Sequence, residues 1–192
     1  MSESIEVIDN FLPDELFHPF AYACMTNPMY QPFDATATNE ESDGSIMSFG
    51  ENLVENQELA ETLFSAQIFF RNADQIHVSN FWLYYDEYFQ KLEELLNIKR
   101  WIQLRVNCTT GQPKQHIGAY HCDFPFRDFK NYKTCILYLN TNNGGTKFQK
   151  DGELIKSKKN RLVKFPTLTM HAGVWATDAK LRYVLNMTYE EN

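Results

Sequence analysis

In "AYHCDFPFR" (119–127), His121 and Asp123 stand two residues apart, with Cys122 between them and a knot of aromatics after them. An imidazole and a carboxylate both offer lone pairs near neutral pH, so the pair has the makings of two ligands to one metal ion. With five His in 192 residues, such a pair also arises by accident, and a third ligand is needed. His171, in "FPTLTMHAGVW", is the best candidate, because it follows the strand-like run "RLVKF" and lies close to Gly173. The other histidines are less apt. His18 and His77 fall in helical or pre-helical segments and read as surface or packing residues. His116 precedes His121 by five residues, so along an extended chain the two point to different faces, and His116 reads as a rim residue.

Two His and one carboxylate on one face of an octahedron leave about three positions open, the arrangement that non-haem Fe(II) oxygenases use for a bidentate co-substrate and O2. A closed structural zinc site would want four protein ligands, usually rich in Cys. Here Cys24, Cys108, Cys122 and Cys135 are scattered, with no C-x-x-C pair. Arg182, eleven residues after His171, offers a planar guanidinium suited to gripping a carboxylate by two parallel hydrogen bonds. In "TCILYLN", Tyr138 shares a strand face with Thr134 and Ile136, and its phenol can donate to the same carboxylate. Taken singly, Arg182 reads equally well as a surface ion pair and Tyr138 as a half-buried strand aromatic. The ordered series H-x-D, Tyr, Asn-Gly-Gly, His, Arg is harder to reach by chance.

The elements that must position these residues change character near Trp101. Before it, Ile5 to Ile8 alternates like a short strand. "NFLPDELFHPFAYACM" starts a helix, with Pro13 suited to the first helical position and Asp14 and Glu15 at the positive end of the dipole. Pro19 is expected to kink or shorten that helix. Residues 34–56 read as a long polar loop, with a short strand near Ile46. "NQELAETLFSAQIFF" reads as a second helix, and "VSNFWLYYDEYFQKLEELLN" as a third with Phe81, Tyr85, Tyr88, Leu92 and Leu95 on its apolar side. After Trp101 come "IQLRVNCT", "KTCILYLN", "GTKFQ", "GELIKS", "NRLVKFP" and "LRYVLNMTY", separated by turn signals such as "TNNGG" and "KDGE". The expectation is three helices packed on a β-domain of about eight strands, a sandwich or jelly roll, since no helical period separates the later strands. In "LRYVLNMTY", Tyr183, Leu185, Met187 and Tyr189 form an apolar face. The opposite face, Arg182, Val184, Asn186 and Thr188, reads more simply as solvated than as the polar lining of a barrel.

Lys+Arg 18 against Asp+Glu 25 gives a formal charge of -7, which argues against non-specific nucleic-acid binding. The acidic start has no cationic and apolar regions of a signal peptide, and no apolar run approaches the roughly 18 residues of a membrane span. The sequons at Asn107 and Asn186 therefore read as coincidence, and the expected address is the cytoplasm.

Residues 101–192 resemble the catalytic domain of Fe(II)- and 2-oxoglutarate-dependent dioxygenases, in the prolyl-hydroxylase-like branch. "YHCDFPF", "KTCILYLNTNNGGTKF", "NRLVKFP", "MHAGVW" and "LRYVLNMTY" match that branch's segments in order and spacing. "TNNGGTKF" and "RLVKFPTLTMHAG" are also similar to small phage-encoded oxygenases, and "IEVIDNFLPDEL" to the opening segment of the superfamily. The resemblance implies a mainly β fold with N-terminal helices, a double-stranded β-helix, the distorted jelly roll of cupin-like proteins. It implies one domain over 1–192, with a helical support region at 1–100 and a core at 101–192. His121, Asp123 and His171 would hold Fe(II), Arg182 would pair with the distal carboxylate of 2-oxoglutarate, and Tyr138 would hydrogen-bond to it. Arg105, Asn107 and Thr109 would face into the barrel toward 2-oxoglutarate or substrate. Cys122 would point away from the metal, exposed to stray oxidant.

The reaction implied is hydroxylation of a C–H bond of a prolyl or other peptidyl residue, consuming O2 and releasing succinate and CO2, with ascorbate as an optional reductant. The substrate would be a peptide, a protein or a small molecule. The prolyl hydroxylases of animal oxygen sensing have Tyr at the place of Thr109 and Thr at the place of Asn186, which loosens the link to proline. The aromatics of 124–132 and Trp175 suggest a binding rim. The competing reading is a jelly-roll binding or virion-structural protein whose metal site is vestigial.

Overall fold

Alternation with period two organises the second half of the chain, and the pairing of strands turns it into layers. The computed structural model describes residues 5–26, 31–33, 64–72, 76–78, 85–118, 120–123 and 131–192. The expected loop at 34–56 and the aromatic run at 124–130 lie outside the described residues. In chain order the elements are β1 (Glu6–Ile8), α1 (Asp14–Thr26), β2 (Gln31–Phe33), β3 (Phe64–Asn72), β4 (Ile76–Val78) and α2 (Asp86–Leu96). They continue with β5 (Ile98–Thr110), β6 (Tyr132–Tyr138), β7 (Gly145–Phe148), β8 (Leu154–Lys156), β9 (Arg161–Pro166), β10 (His171–Val174) and β11 (Leu181–Glu191).

The main sheet runs β1-β9-β6-β11-β5-β3-β2, with β4 paired to β3, and the smaller sheet runs β10-β7-β8. From β5 onward the chain passes repeatedly from one sheet to the other. One face of the main sheet carries Leu104, Val106, Cys135, Leu137, Leu162, Leu185, Met187 and Tyr189 against a helix layer. The helices contribute Phe17, Phe20, Ala21 and Cys24 from α1 and Phe89, Leu92 and Leu96 from α2. The other face meets the smaller sheet through Ile136, Tyr138, Val163, Phe165 and Val184, packed on Phe148 and Ile155.

All six β-rich runs expected after Trp101 are strands, and β10 is a seventh. The first half departs from expectation in three places. β3 takes in residues 64–70, the end of the expected second helix, and pairs with β5 from Phe64↔Thr109 to Arg71↔Gln103. A long central strand offers a row of unpaired backbone groups, and satisfying that edge outweighs a local helical pattern. The third helix begins at Asp86, not near Val78, because Val78 pairs with Phe70 in β4. Of its expected apolar side, Leu92 is buried and Tyr85 and Tyr88 pack half-buried on the core, whereas Leu95 is exposed and Phe89 and Leu96 complete the buried row. Asn97 closes this helix in the left-handed conformation. Helix α1, for its part, runs through Pro19. The donor that proline lacks would have served Glu15 in the exposed first turn, where water can replace it, and the buried Phe17, Phe20 and Cys24 hold the helix in place.

The N-terminal segment is clamped by one side chain. The Asn160 amide donates to the Leu12 carbonyl at 2.7 Å and accepts from the Leu12 N–H at 2.9 Å, both buried, and Asn160 itself has φ 59°. Removing the amide leaves two buried backbone groups unpaired, at roughly 1–3 kcal/mol each. Asn160→Ala should therefore cost about 2–6 kcal/mol in urea unfolding. Asn160→Gly should cost about 1 kcal/mol less than that, because glycine accepts positive φ. Equal loss in both variants would show that the backbone conformation contributes nothing.

Candidate functional site

A stretch of chain between β5 and β6 runs along the outer edge of β10 as an irregular strand. Gln112 donates to the Ala176 carbonyl, Trp175 to that of His116 and Gly118 to that of Gly173. The last rung pairs His121 with His171, whose N–H groups donate to each other's carbonyls at 2.9 and 2.8 Å. This backbone pairing sets the two imidazoles side by side, with ring centroids 4.6 Å apart. Two residues on, the Asp123 N–H donates to the Thr167 carbonyl at 3.2 Å, which turns its carboxylate toward the same spot. Ligand-capable atoms of His121, Asp123 and His171 all lie within 4.8 Å of one another, and the three side chains are almost wholly buried.

The surroundings decide how these groups present themselves. Nδ1 of His171 lies 2.9 Å from the Thr169 carbonyl, which can only accept. The neutral ring therefore carries its proton on Nδ1 and leaves the Nε2 lone pair for a ligand. Phe165 packs edge-on against the same ring at 4.7 Å and fixes its plane. Burial by itself would raise the Asp123 carboxyl. The His171 and His121 rings, Arg105 and a hydrogen bond from Thr134 outweigh burial and hold it below the ordinary carboxylate range. Its Oδ2 accepts from Thr134 at 2.9 Å, whereas Oδ1 is buried with no hydrogen-bond partner. Two imidazoles and the Asp123 Oδ1 atom, which has no hydrogen-bond partner, thus converge on one buried spot. That donor set suits a divalent metal with open positions better than a structural zinc. Cys122 stands outside this group; desolvation, then the Asp123 charge, push its thiol up.

Opposite the triad, the interior face of the main sheet is laid out in rungs by strand register. Asn186 on β11 is flanked by Ile136 on β6 and Arg105 on β5; Val184 by Tyr138 and Asn107; Arg182 lies beside Thr109. Arg182, Val184, Asn186 and Thr188 are all buried, so this face lines the interior rather than meeting solvent, and the simpler of the two expectations fails. The face is enclosed because the smaller sheet covers it, which no local pattern within β11 encodes. Arg105, Asn107, Thr109, Arg182 and Asn186 line one cavity with His121 and His171, about 580 Å³ with its open part included. The Asn107 and Asn186 amide oxygens, the Thr109 hydroxyl and Nε of Arg182 are buried in it without a hydrogen-bond partner.

At the far end of the cavity, Arg182 donates through Nη2 to the Gly145 carbonyl at 3.0 Å, and its guanidinium carbon lies 5.6 Å from the centre of the Tyr138 ring. Only glycine fits at 145, since a Cβ there would meet the Ile155 carbonyl oxygen at 2.2 Å. The Asn-Gly-Gly signal in the sequence thus marks the turn that receives Arg182. Burial pushes the Tyr138 phenol up, keeping it a proton donor. That proton is directed at Thr146 Oγ1, 2.8 Å away, with the Ile155 carbonyl at 3.1 Å. Thr146, rather than the phenol, lines the cavity. Sequence reasoning missed Thr146 and the bond from Thr134 to Asp123. The second was within reach, because Thr134 shares the interior face of β6 with Tyr138. His116 is outside the triad, and His18 lies 3.6 Å from Asp14 on α1.

No family model matches the chain, and no curated protein matches it by sequence. Solved structures do. A Pseudomonas putida prolyl-4-hydroxylase superposes with a TM-score of 0.60 at 15% identity, over 99% of this chain and 94% of that one. A Trichoplax adhaerens prolyl hydroxylase, solved with a hypoxia-inducible-factor peptide fragment, gives 0.60 at 16% identity, over 97% and 78%. The epimerase SnoN, solved with Fe3+, alpha-ketoglutarate and nogalamycin RO, gives 0.61 at 10% identity, over 98% and 79%. Mainly β, with its polar cavity between two sheets, the chain has the fold of the 2-oxoglutarate- and iron-dependent oxygenases, prolyl-4-hydroxylases among them.

Proposed function

We propose that this chain is an Fe(II)- and 2-oxoglutarate-dependent oxygenase that hydroxylates a C–H bond of a prolyl or other peptidyl residue, releasing succinate and CO2. The observation that carries the reading is the shared cavity. His121 and His171 line one part of it, grouped with the Asp123 carboxylate and its unpartnered oxygen, and a buried arginine with an unpartnered Nε lines another. The two-sheet winding is then a double-stranded β-helix. On the same reading residues 1–192 are one domain, and among the described residues α1 and α2 pack on the core while β1 extends the main sheet.

In this reading His121, Asp123 and His171 hold Fe(II). The iron, with 2-oxoglutarate and O2, supplies an oxidant able to take hydrogen from a C–H bond. The chain supplies placement. Arg182 offers a charge-assisted hydrogen bond to the distal carboxylate of 2-oxoglutarate, and its Nη2 bond to Gly145 stops the guanidinium from swinging. Tyr138 acts through Thr146: by donating to Oγ1 it leaves the Thr146 proton free for the same carboxylate. Asn107 and Thr109 line the cavity that would take the co-substrate, and Arg105, whose charge acts on Asp123, stands beside Asn186. A peptide substrate is consistent with the prolyl hydroxylase solved with a peptide fragment. The net charge of -7 speaks against nucleic acid as substrate. A cytoplasmic site of action is part of the proposal, and no helix among the described residues is long and apolar enough to cross a membrane. The unpartnered polar atoms weigh against a binding protein with a vestigial site, since a relic has no need to keep them buried.

Three outcomes follow from this reading. Succinate should accumulate from 2-oxoglutarate only with Fe(II) present, and a prolyl peptide panel should raise the rate; absence of both turnover and 2-oxoglutarate binding would sink it. Mn(II) at about 100 times its Kd should stabilise the fold by about 2.7 kcal/mol, reversed by a chelator, and His121→Ala should abolish that gain. Arg182→Ala should weaken 2-oxoglutarate binding about tenfold to a hundredfold, as loss of 1.5–3 kcal/mol of charged hydrogen bonding requires, with Mn(II) binding unchanged. If Mn(II) binding fell equally, Arg182 would be structural rather than a carboxylate anchor.

A further inference from the structure

The two oxygens of Asp123 have different surroundings. Oδ2 accepts a hydrogen bond from the Thr134 hydroxyl at 2.9 Å, while Oδ1, equally buried, has no hydrogen-bond partner. Thr134 is wholly buried and its backbone is locked in register between Thr188 on β11 and Phe165 on β9. Its one proton has two acceptors in range, Asp123 Oδ2 and Thr167 Oγ1, the latter at 3.4 Å. The shorter, charge-assisted bond to the carboxylate is the stronger. With the Asp123 N–H held by the Thr167 carbonyl, both the main chain and one carboxylate oxygen are pinned.

We propose that Thr134 is a positioning residue that commits Asp123 to a single ligand oxygen, Oδ1, and so keeps one coordination position open at the metal centre. The inference rests on the metal-binding reading above. A carboxylate binds a cation through one oxygen or through both. A hydrogen bond to Oδ2 occupies a lone pair and stops rotation of the carboxylate, so that Oδ1 alone faces His121 and His171. Without it, Asp123 is free to turn and chelate, using a position that a bidentate co-substrate needs. Partners of this kind, one step behind the ligands, change metal affinity 10–100-fold when removed.

Co(II) tests this directly, because its visible ligand-field absorption reports coordination number without any turnover. Wild type, Thr134→Val, Thr134→Ser and Thr167→Val are each titrated with Co(II) and then with 2-oxoglutarate, with near-UV circular dichroism checking the fold. Thr134→Val should bind Co(II) about tenfold to a hundredfold more weakly, with an altered ligand-field band and weakened 2-oxoglutarate binding. Thr134→Ser should recover affinity to within about threefold of wild type, and Thr167→Val should stay in that range. Wild-type affinity and spectrum in Thr134→Val, or an equal loss in Thr167→Val, would overturn the role of Thr134 while leaving the metal centre intact. A wild-type protein that takes up no Co(II) would overturn both. Should the valine variant fail to fold, Thr134→Ala against Thr134→Ser makes the same comparison.

Discussion

The pairing of β11 with β5 on one side and β6 on the other is the constraint from which the rest of the molecule follows. Because side chains alternate, that register sends Leu185, Met187 and Tyr189 to the helix layer and Arg182, Val184 and Asn186 to the interior. A slip of one residue would exchange the two faces, placing a guanidinium among the aromatics of α1 and α2 and an apolar row in the cavity. Both faces are buried, so the penalty for slippage is paid twice, and the register is correspondingly well specified.

Around this sheet the structure separates two kinds of interior. Between sheet and helices lies an ordinary apolar core, where even the polar pair Cys135 and Tyr189 is matched within itself, Sγ to hydroxyl at 3.5 Å. Between the sheets the packing is divided. Phe148, Ile155, Val163 and Phe165 seal one part, and the rest is left polar and hollow. The seal and the site share residues: Phe165 packs on the His171 ring, and Tyr138 lies beneath Arg182 while directing its proton to Thr146. The rigidity of the functional groups is thus borrowed from hydrophobic packing one layer behind them, where rotamers are held by density rather than by hydrogen bonds.

Much of the site was legible as residue types in order. H-x-D, the later His and the later Arg were visible because metal and carboxylate chemistry admits few side chains, and period two placed Thr134, Ile136 and Tyr138 on one face of β6. The expectation for Tyr138 met a different geometry, since a phenol's direction depends on the strand across from it, here β7, which supplies Thr146. The helical reading of 64–70 failed for a related reason. Helix-forming residues precede "FSAQIFF", but the unpaired edge of β5 lies elsewhere in the chain, and a local window does not see it.

Sequence alone therefore determined the inventory: which side chains are present, their order, and the alternation that assigns each to one of two strand faces, all set by covalent spacing along the chain. The tertiary structure decided which face is enclosed and what meets within it. His121 and His171, fifty residues apart, become neighbours only because the chain segment before β6 pairs with the edge of β10. Arg182 points inward only because the smaller sheet covers it. Those outcomes depend on backbone hydrogen bonds between distant segments, whose partners are chosen by the burial of the whole molecule rather than by any stretch within it.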